Sequence, residues 1–213
     1  MEHEDSRLIV HDDQFKVILF DLGGVLLNLN DPIETFGLQI DQGEFKDRWL
    51  RSPSVRTFES GGINTEEFAR NIVAEAELPY DWQEFLQRFD AWPGQLFKQT
   101  LSVLQAIPAK YNRALLSNIN ALHWGRDDIA GQLAGCFDHA FLSYETGLIK
   151  PDREAFELVV NTYNCKPCEI LFFDDSPLNV TAAADYGIQA VLAIGIDAVS
   201  QTLEERGVLG QLR

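Results

Sequence analysis

Four short polar clusters each follow an apolar run in this chain of 213 residues. They are Phe20-Asp21-Leu22-Gly23-Gly24-Val25-Leu26, Leu116-Ser117-Asn118-Ile119-Asn120, Gly147-Leu148-Ile149-Lys150-Pro151-Asp152 and Phe173-Asp174-Asp175-Ser176-Pro177. Taken singly, each has an ordinary reading: an Asp capping a turn, a hydroxyl at a helix start, a surface lysine before a helix, two acids at a helix N-terminus. Taken together, they supply a carboxylate nucleophile at Asp21, hydroxyl and amide donors at Ser117 and Asn118, a fixed cation at Lys150 and a metal-binding acid at Asp175. Phosphoryl transfer needs these groups, because positioning and charge neutralisation carry most of that chemistry. A magnesium ion takes hard oxygen ligands and keeps several waters, which Asp21, a backbone carbonyl near Gly23 and Asp175 leave room for. It would also shield the Asp21 carboxylate from an incoming phosphate.

For these clusters to meet, the apolar runs must be strands of one sheet, since ligands of an open parallel sheet lie beyond the carboxyl ends of its strands. Phe15 to Phe20, Ala114 to Leu116, Ile170 to Phe173 and Ala190 to Ile194 are short and uniformly apolar, with a weaker run at Ala140 to Leu142. Helical stretches separate them, the pattern of a doubly wound sheet buried on both faces. Asp152 to Tyr163 follows Pro151, read as a first helical residue, and sets Phe156, Val159, Val160 and Tyr163 on one face. Pro177 to Tyr186 reads likewise, closed by Gly187. From about Asp31 to Trp92 the rhythm breaks into helices divided by Ser-Pro and Gly-Gly steps. Asn64 or Thr65 caps one of them, with Phe68, Ile72 and Val73 on its inner face. This segment is expected to be a small helical lobe inserted after the first strand.

Bulk properties narrow the partners. Seventeen Lys and Arg against thirty-three Asp and Glu give a formal charge of -16, which repels polyanions, and no basic patch offsets it. Nucleic acid is therefore not an expected partner, whereas a small phosphorylated substrate is compatible with a bound divalent cation that inverts the local field. Met1 to Asp13 holds five acids and no apolar run, so no secretory leader is expected, and no stretch approaches a membrane span. The cytoplasm is the expected compartment. Three cysteines do not make a disulfide framework, and Cys165 and Cys168 lack the further ligands of a zinc site, so they read as loop sequence. Trp49, Trp82, Trp92 and Trp124 read as packing aromatics. Oligomeric state is left open.

In this order, over residues 15 to 194, the four clusters resemble the four motifs of the haloacid dehalogenase superfamily. The resemblance implies an α/β fold with a Rossmann-like parallel sheet as core, residues 1–30 and 93–213, and an inserted helical cap, residues 31–92. It implies a phosphoaspartyl intermediate on Asp21, phosphoryl oxygens held by Ser117 and Asn118, and a nucleophile and developing charge steadied by Lys150. The implied Mg2+ ligands are Asp21, Gly23 through its carbonyl, and Asp175, with Asp174 a second choice because it aligns with a glycine of the usual motif. The Asp-Leu-Gly-Gly-Val run, the Ser-Asn-x-Asn-x-x-His pattern ending at His123, the Asp174-Asp175 pair and Ser60-Gly61-Gly62-Ile63-Asn64 look like the bacterial branch that includes the alpha-glucose-1-phosphate phosphatases. The implied activity is magnesium-dependent hydrolysis of a small phosphomonoester such as a sugar phosphate.

Two departures bear on mechanism. Gly23 stands where phosphatases of this superfamily generally carry the Asp that protonates the leaving group and then activates water. An anomeric phosphate, leaving as a less basic hemiacetal oxygen, would tolerate that loss best. His123 is the histidine nearest a rim strand and a candidate for the missing proton transfer, against the plainer reading that it packs in a first helical turn. Asn179 replaces a common last acid of the fourth motif. Among rivals, a metal-independent 2-haloacid dehalogenase would also lack an Asp at Gly23 but has no use for the Asp174-Asp175 pair. A catalytically silent binding protein would need none of Asp21, Lys150 and Asp175, although binding could keep them. A phosphomutase would want the absent acid-base residue.

Overall fold

A computed structural model describes residues 14–210, so the reading of Met1 to Asp13 lies outside the described residues. The chain opens with β1 (Val17–Phe20) and β2 (Leu27–Leu29), then passes through α1 (Pro32–Phe36), α2 (Gln42–Arg51), α3 (Pro53–Glu59), α4 (Thr65–Glu75) and α5 (Trp82–Asp90). It returns through β3 (Pro93–Leu96), α6 (Thr100–Ala106), β4 (Asn112–Ser117), α7 (Ala121–Trp124), β5 (His139–Leu142) and α8 (Ser143–Thr146). It ends with α9 (Arg153–Tyr163), β6 (Ile170–Asp174), α10 (Pro177–Tyr186), β7 (Gln189–Leu192) and α11 (Ile196–Glu205).

Five strands form one parallel sheet in the order β5-β4-β1-β6-β7. The uniformly apolar runs are explained by burial on both faces. Val17 and Leu19 of β1 join Leu116, Ile170 and Phe172 against Phe156 and Val159 of α9 and Ala183 of α10. Ile18 and Phe20 point the other way, with Leu115, Leu171 and Phe173, against Leu104 of α6 and Val199 and Leu203 of α11. The last strand is shorter than the run Ala190 to Ile194 suggested: β7 closes at Leu192, and Ile194 is 73% exposed. Pro151 precedes α9 rather than opening it, because Asp152 takes the N-cap conformation and Asp152 N–H closes a turn onto the Ile149 carbonyl. The Lys150–Pro151 bond is cis. Gly187, at φ +101°, ends α10 as expected.

The helices α1 to α5 enclose a separate cluster of Phe36, Val55, Phe58, Phe68, Ile72, Phe85 and Phe89. Phe58 and Phe68 stack with centroids 4.2 Å apart and rings 4° from parallel. Such a pair contributes about 0.5–1.5 kcal/mol beyond its area. Side chains of Asp31, Asp41, Ser52, Asn64 and Asp81 each accept an N–H from the first turn of the helix they open. Asn64, not Thr65, is the cap of α4, accepting from Glu67 N–H at 2.9 Å. Trp49, Trp82 and Trp92 pack around this cluster and Trp124 around the sheet. The two chain passes between sheet and helices pair as an antiparallel ribbon, β2 with β3, which the sequence did not suggest. No helix among the described residues is long and apolar enough to cross a membrane.

Candidate active site

Order β5-β4-β1-β6-β7 places the two neighbours of β1 on separate passes of the chain, so the crevice at its carboxyl end is the expected ligand site. Asp21 follows β1 directly, its N–H donating to the Phe173 carbonyl at 2.8 Å. Ser117 closes β4 and Asp174 closes β6, while Lys150 arrives from beyond α8. All four are buried. Asp21, Ser117 and Lys150, with Gly23, Asn118, His123 and Asp175, line a cavity of about 670 Å³ between the sheet and the helical layer. A groove of about 870 Å³ between α1 and α5, lined by Glu34, Asp81, Glu84 and Arg88, holds none of these groups.

Lys150 is the centre of the charge arrangement. Its Nζ donates to Asp21 Oδ1 at 2.8 Å and to Asp174 Oδ2 at 2.7 Å, and it sits 5.5 Å above the Phe172 ring. Burial pulls the ammonium down, yet Asp174 and Asp21 outweigh it and hold Lys150 above its usual value. Burial pushes the Asp21 carboxyl up to about 7, against the pull of Lys150 and with the help of Asp174 and Asp175. One oxygen from each of Asp21, Asp174 and Asp175 lies within 4.8 Å of the others. Three carboxylates thus gather about one ammonium, an excess of negative charge that a divalent cation would offset.

The two adjacent acids differ in employment. Asp174 is fully buried and accepts from Lys150, from Ser176 N–H at 2.8 Å and from both approaches of the Asn179 amide, at 3.0 and 3.1 Å. Asn179 therefore ties down Asp174, a job for an amide donor that an acid at that position could not do. Asp175 stands half-buried on the cavity wall. Ser176 Oγ, on the same wall, is a buried polar atom without a hydrogen-bond partner in the protein. Buried hydroxyls in that condition lack something that an oxygen-rich ligand or its waters would supply.

Two of the candidate side chains are engaged by backbone. The Asn118 side chain bonds the backbone of Lys150, donating to its carbonyl and accepting from its N–H, both at 2.8 Å. It clamps the lysine loop to β4 and still has a second amide N–H that no bond to Lys150 uses. His123 has both ring nitrogens engaged, Nδ1 by Asn120 at 3.2 Å and Nε2 by the Phe89 carbonyl at 2.8 Å. Burial holds it neutral, down to about 4. It fastens α7 to the end of α5 and has no nitrogen left for proton transfer.

Glu59, the last residue of α3, lines the cavity from the helical side, and the sequence reading passed over it. Its only local signal was an acid directly before the Ser60-Gly61-Gly62 break. Cys165 and Cys168 lie away from the acidic cluster as free thiols, one half-buried and one exposed.

Comparison with known proteins agrees with this geometry. Residues 15–187 match the model of the haloacid dehalogenase-like hydrolase family. A D-ribitol-5-phosphate phosphatase of Bacteroides thetaiotaomicron is 24% identical over 185 residues, 82% of this chain and 89% of that enzyme. The sesquiterpene phosphatase astK of Aspergillus oryzae is 27% identical over 202 residues, 92% of this chain and 97% of its own. A HAD family enzyme of Bacteroides thetaiotaomicron, solved in complex with magnesium and inorganic phosphate, superposes with a TM-score of 0.65 at 28% identity, covering 83% of this chain and 93% of that one.

Proposed function

Because the chain belongs to the haloacid dehalogenase-like hydrolases, we propose that it is a magnesium-dependent cytoplasmic phosphatase of a small phosphomonoester, working through a phosphoaspartyl intermediate on Asp21. The observation that carries this reading is the buried acidic cluster around Lys150 at the floor of the cavity. Its hard oxygen donors fit Mg2+, and the unpartnered Ser176 hydroxyl beside them fits a hydrated ion. Asp21, the Gly23 carbonyl and Asp175 would hold the ion, with Asp174 turned to Lys150. Bound there, the ion would neutralise phosphate charge and lower the repulsion that faces a carboxylate nucleophile.

The chain's own residues supply the rest. Lys150 orients Asp21 Oδ1 and leaves Oδ2 as the attacking atom. Ser117 and the Asn118 N–H receive phosphoryl oxygens, and the Asn118 side chain fixes the lysine loop. The helical layer, residues 31–92, acts as a cap that covers the leaving group with Phe45, Trp49, Leu50 and Trp92 and keeps bulk water out. A cavity of this size suits a sugar or polyol phosphate, in keeping with the ribitol phosphate named for one relative. A metal-free dehalogenase has no need of the Asp174 and Asp175 carboxylates gathered at this site.

Phosphate release from a panel of sugar phosphates, polyol phosphates and para-nitrophenyl phosphate, with magnesium and after chelation, tests the proposal. Release only with magnesium supports it. Halide release from 2-haloacids after chelation, without phosphate release, replaces it with the dehalogenase reading.

The metal assignment has its own test. Gly24 has φ +74°, and a Cβ there would stand 2.8 Å from Asp175 Cγ and Oδ2. Gly24→Ala is therefore expected to shift the Asp175 carboxylate and raise the magnesium concentration for half-maximal turnover by about 10–100-fold. A magnesium titration reads it, with turnover recovering at saturation; an unchanged titration removes Asp175 from the ligand set.

A further inference from the structure

Gly23 leaves the reaction without its expected proton donor, and a Cβ there would press on the exposed side chain of Leu29, with Cδ1 at 3.3 Å. The titratable groups on the cavity wall are Asp21, Asp31, Glu59, His123, Lys150 and Asp175. Asp21, Lys150 and Asp175 belong to the site already described. Asp31 is consumed as the cap of α1, accepting from Ile33 N–H at 2.7 Å, from Glu34 N–H at 3.3 Å and from Gln42 Nε2 at 2.7 Å. His123 has both nitrogens bonded. Glu59 remains, with the Trp49 indole N–H donating to its carboxyl.

The position of Glu59 is fixed from the core. Arg56, one turn back on α3, pairs with Asp152, two residues beyond Lys150. Gly61, two residues on, has φ +75°, and a Cβ there would stand 2.3 Å from the Tyr144 carbonyl oxygen of α8. Only glycine permits that approach. Both attachments join α3 to the segment that carries Lys150, so the cavity receives its lysine and its cap glutamate from linked elements.

We propose that Glu59 is the general acid and then the general base of the reaction, carrying out from the cap the proton transfers that Gly23 cannot. The proposal rests on the phosphatase reading. In the first half, Asp21 Oδ2 bonds to phosphorus, the ester P–O bond breaks with its electron pair going to the leaving oxygen, and the Glu59 proton makes that oxygen an alcohol. In the second half, the Glu59 carboxylate takes a proton from water as the water oxygen bonds to phosphorus. The phosphorus–Asp21 bond then breaks, its electron pair returns to the carboxylate, and inorganic phosphate is released.

Burial pushes Glu59 up to about 7, with Asp21 adding to the rise and the Trp49 hydrogen bond and Lys150 opposing it. The charged groups facing it are Asp21 and Lys150 from the core, with Asp175 and Asp31 further along the same wall. A carboxyl in this range both gives and takes a proton near neutrality.

Glu59→Gln in the full chain with saturating magnesium tests the assignment. Hydrolysis of an alkyl phosphate such as glycerol phosphate is expected to fall about 10²–10³-fold. With para-nitrophenyl phosphate, whose phenolate leaves unprotonated, the variant should still release a burst of nitrophenolate equal to the enzyme present, followed by slow turnover. In the wild type, kcat/KM for the alkyl substrate should fall as pH rises through about 7, since the acid must be protonated; this limb should vanish in the variant. Glu59→Asp should restore part of the alkyl activity. An equal loss of burst and alkyl hydrolysis, or no loss of either, overturns the proposal and leaves the phosphatase standing. A wild type without magnesium-dependent phosphate release overturns the phosphatase reading itself.

Discussion

Asp21→Asn is expected to abolish magnesium-dependent phosphate release, by about 10⁴-fold or more, while leaving the protein folded with an unchanged or higher melting temperature. The loss follows from chemistry, since an amide oxygen is a poor nucleophile toward phosphorus and Oδ2 is the atom that Lys150 leaves available. Retained stability follows from charge. Asp21 is buried beside Asp174 and Asp175, and removing one of three like charges relieves repulsion, while Lys150 keeps its 2.7 Å bond to Asp174. Single-turnover kinetics and thermal unfolding read the two parts separately. Residual turnover within about tenfold of wild type would remove Asp21 as nucleophile; lost turnover with a collapsed melting temperature would make it a structural acid.

Much of this site was legible because a parallel sheet writes its strands as solid apolar runs and its chemistry as the residues just beyond them. Asp21, Ser117, Lys150 and Asp175 fall at strand ends or the loops they feed, so locating the strands located them. What stayed hidden depends on contacts that no local pattern encodes. The Asn118 clamp joins residues 32 apart, and nothing near Asn118 distinguishes an amide that binds backbone from one that waits for a ligand. His123 is similar, since its partner is a carbonyl of α5, 34 residues away. The ribbon of β2 and β3 has three and four residues, one strand reading Leu-Asn-Leu and the other opening on Pro, too short and mixed for any periodicity. Glu59 was missed for a different reason: helices α1 to α5 carry many acids, and only the closure of α3 against α8 through Gly61 selects the one that faces the cavity.

Lys150→Met should cost both turnover and stability, unlike Asp21→Asn. Lys150 is 3% exposed, and its ammonium, held in two ion pairs, is the fixed positive charge of the cluster. Removing one partner of a buried ion pair costs about 3–5 kcal/mol, because the charges left behind stay desolvated and unmatched. Methionine fills the stem's volume above the Phe172 ring, so the loss measures charge rather than a cavity. Adding Asp21→Asn should then recover part of the stability, since it removes one of the stranded carboxylates, and the pair should deviate from additivity by at least about 1 kcal/mol. Denaturant unfolding of the four proteins in metal-free buffer measures that coupling. Strict additivity would mean that Lys150 stabilises the fold through its loop, held by Asn118 and by the Asp152–Arg56 pair, and not through the carboxylates it touches. A coupling of the expected size would assign to one side chain the two tasks its position suggests, keeping Asp21 and Asp174 together before any ion arrives and aiming Asp21 at phosphorus.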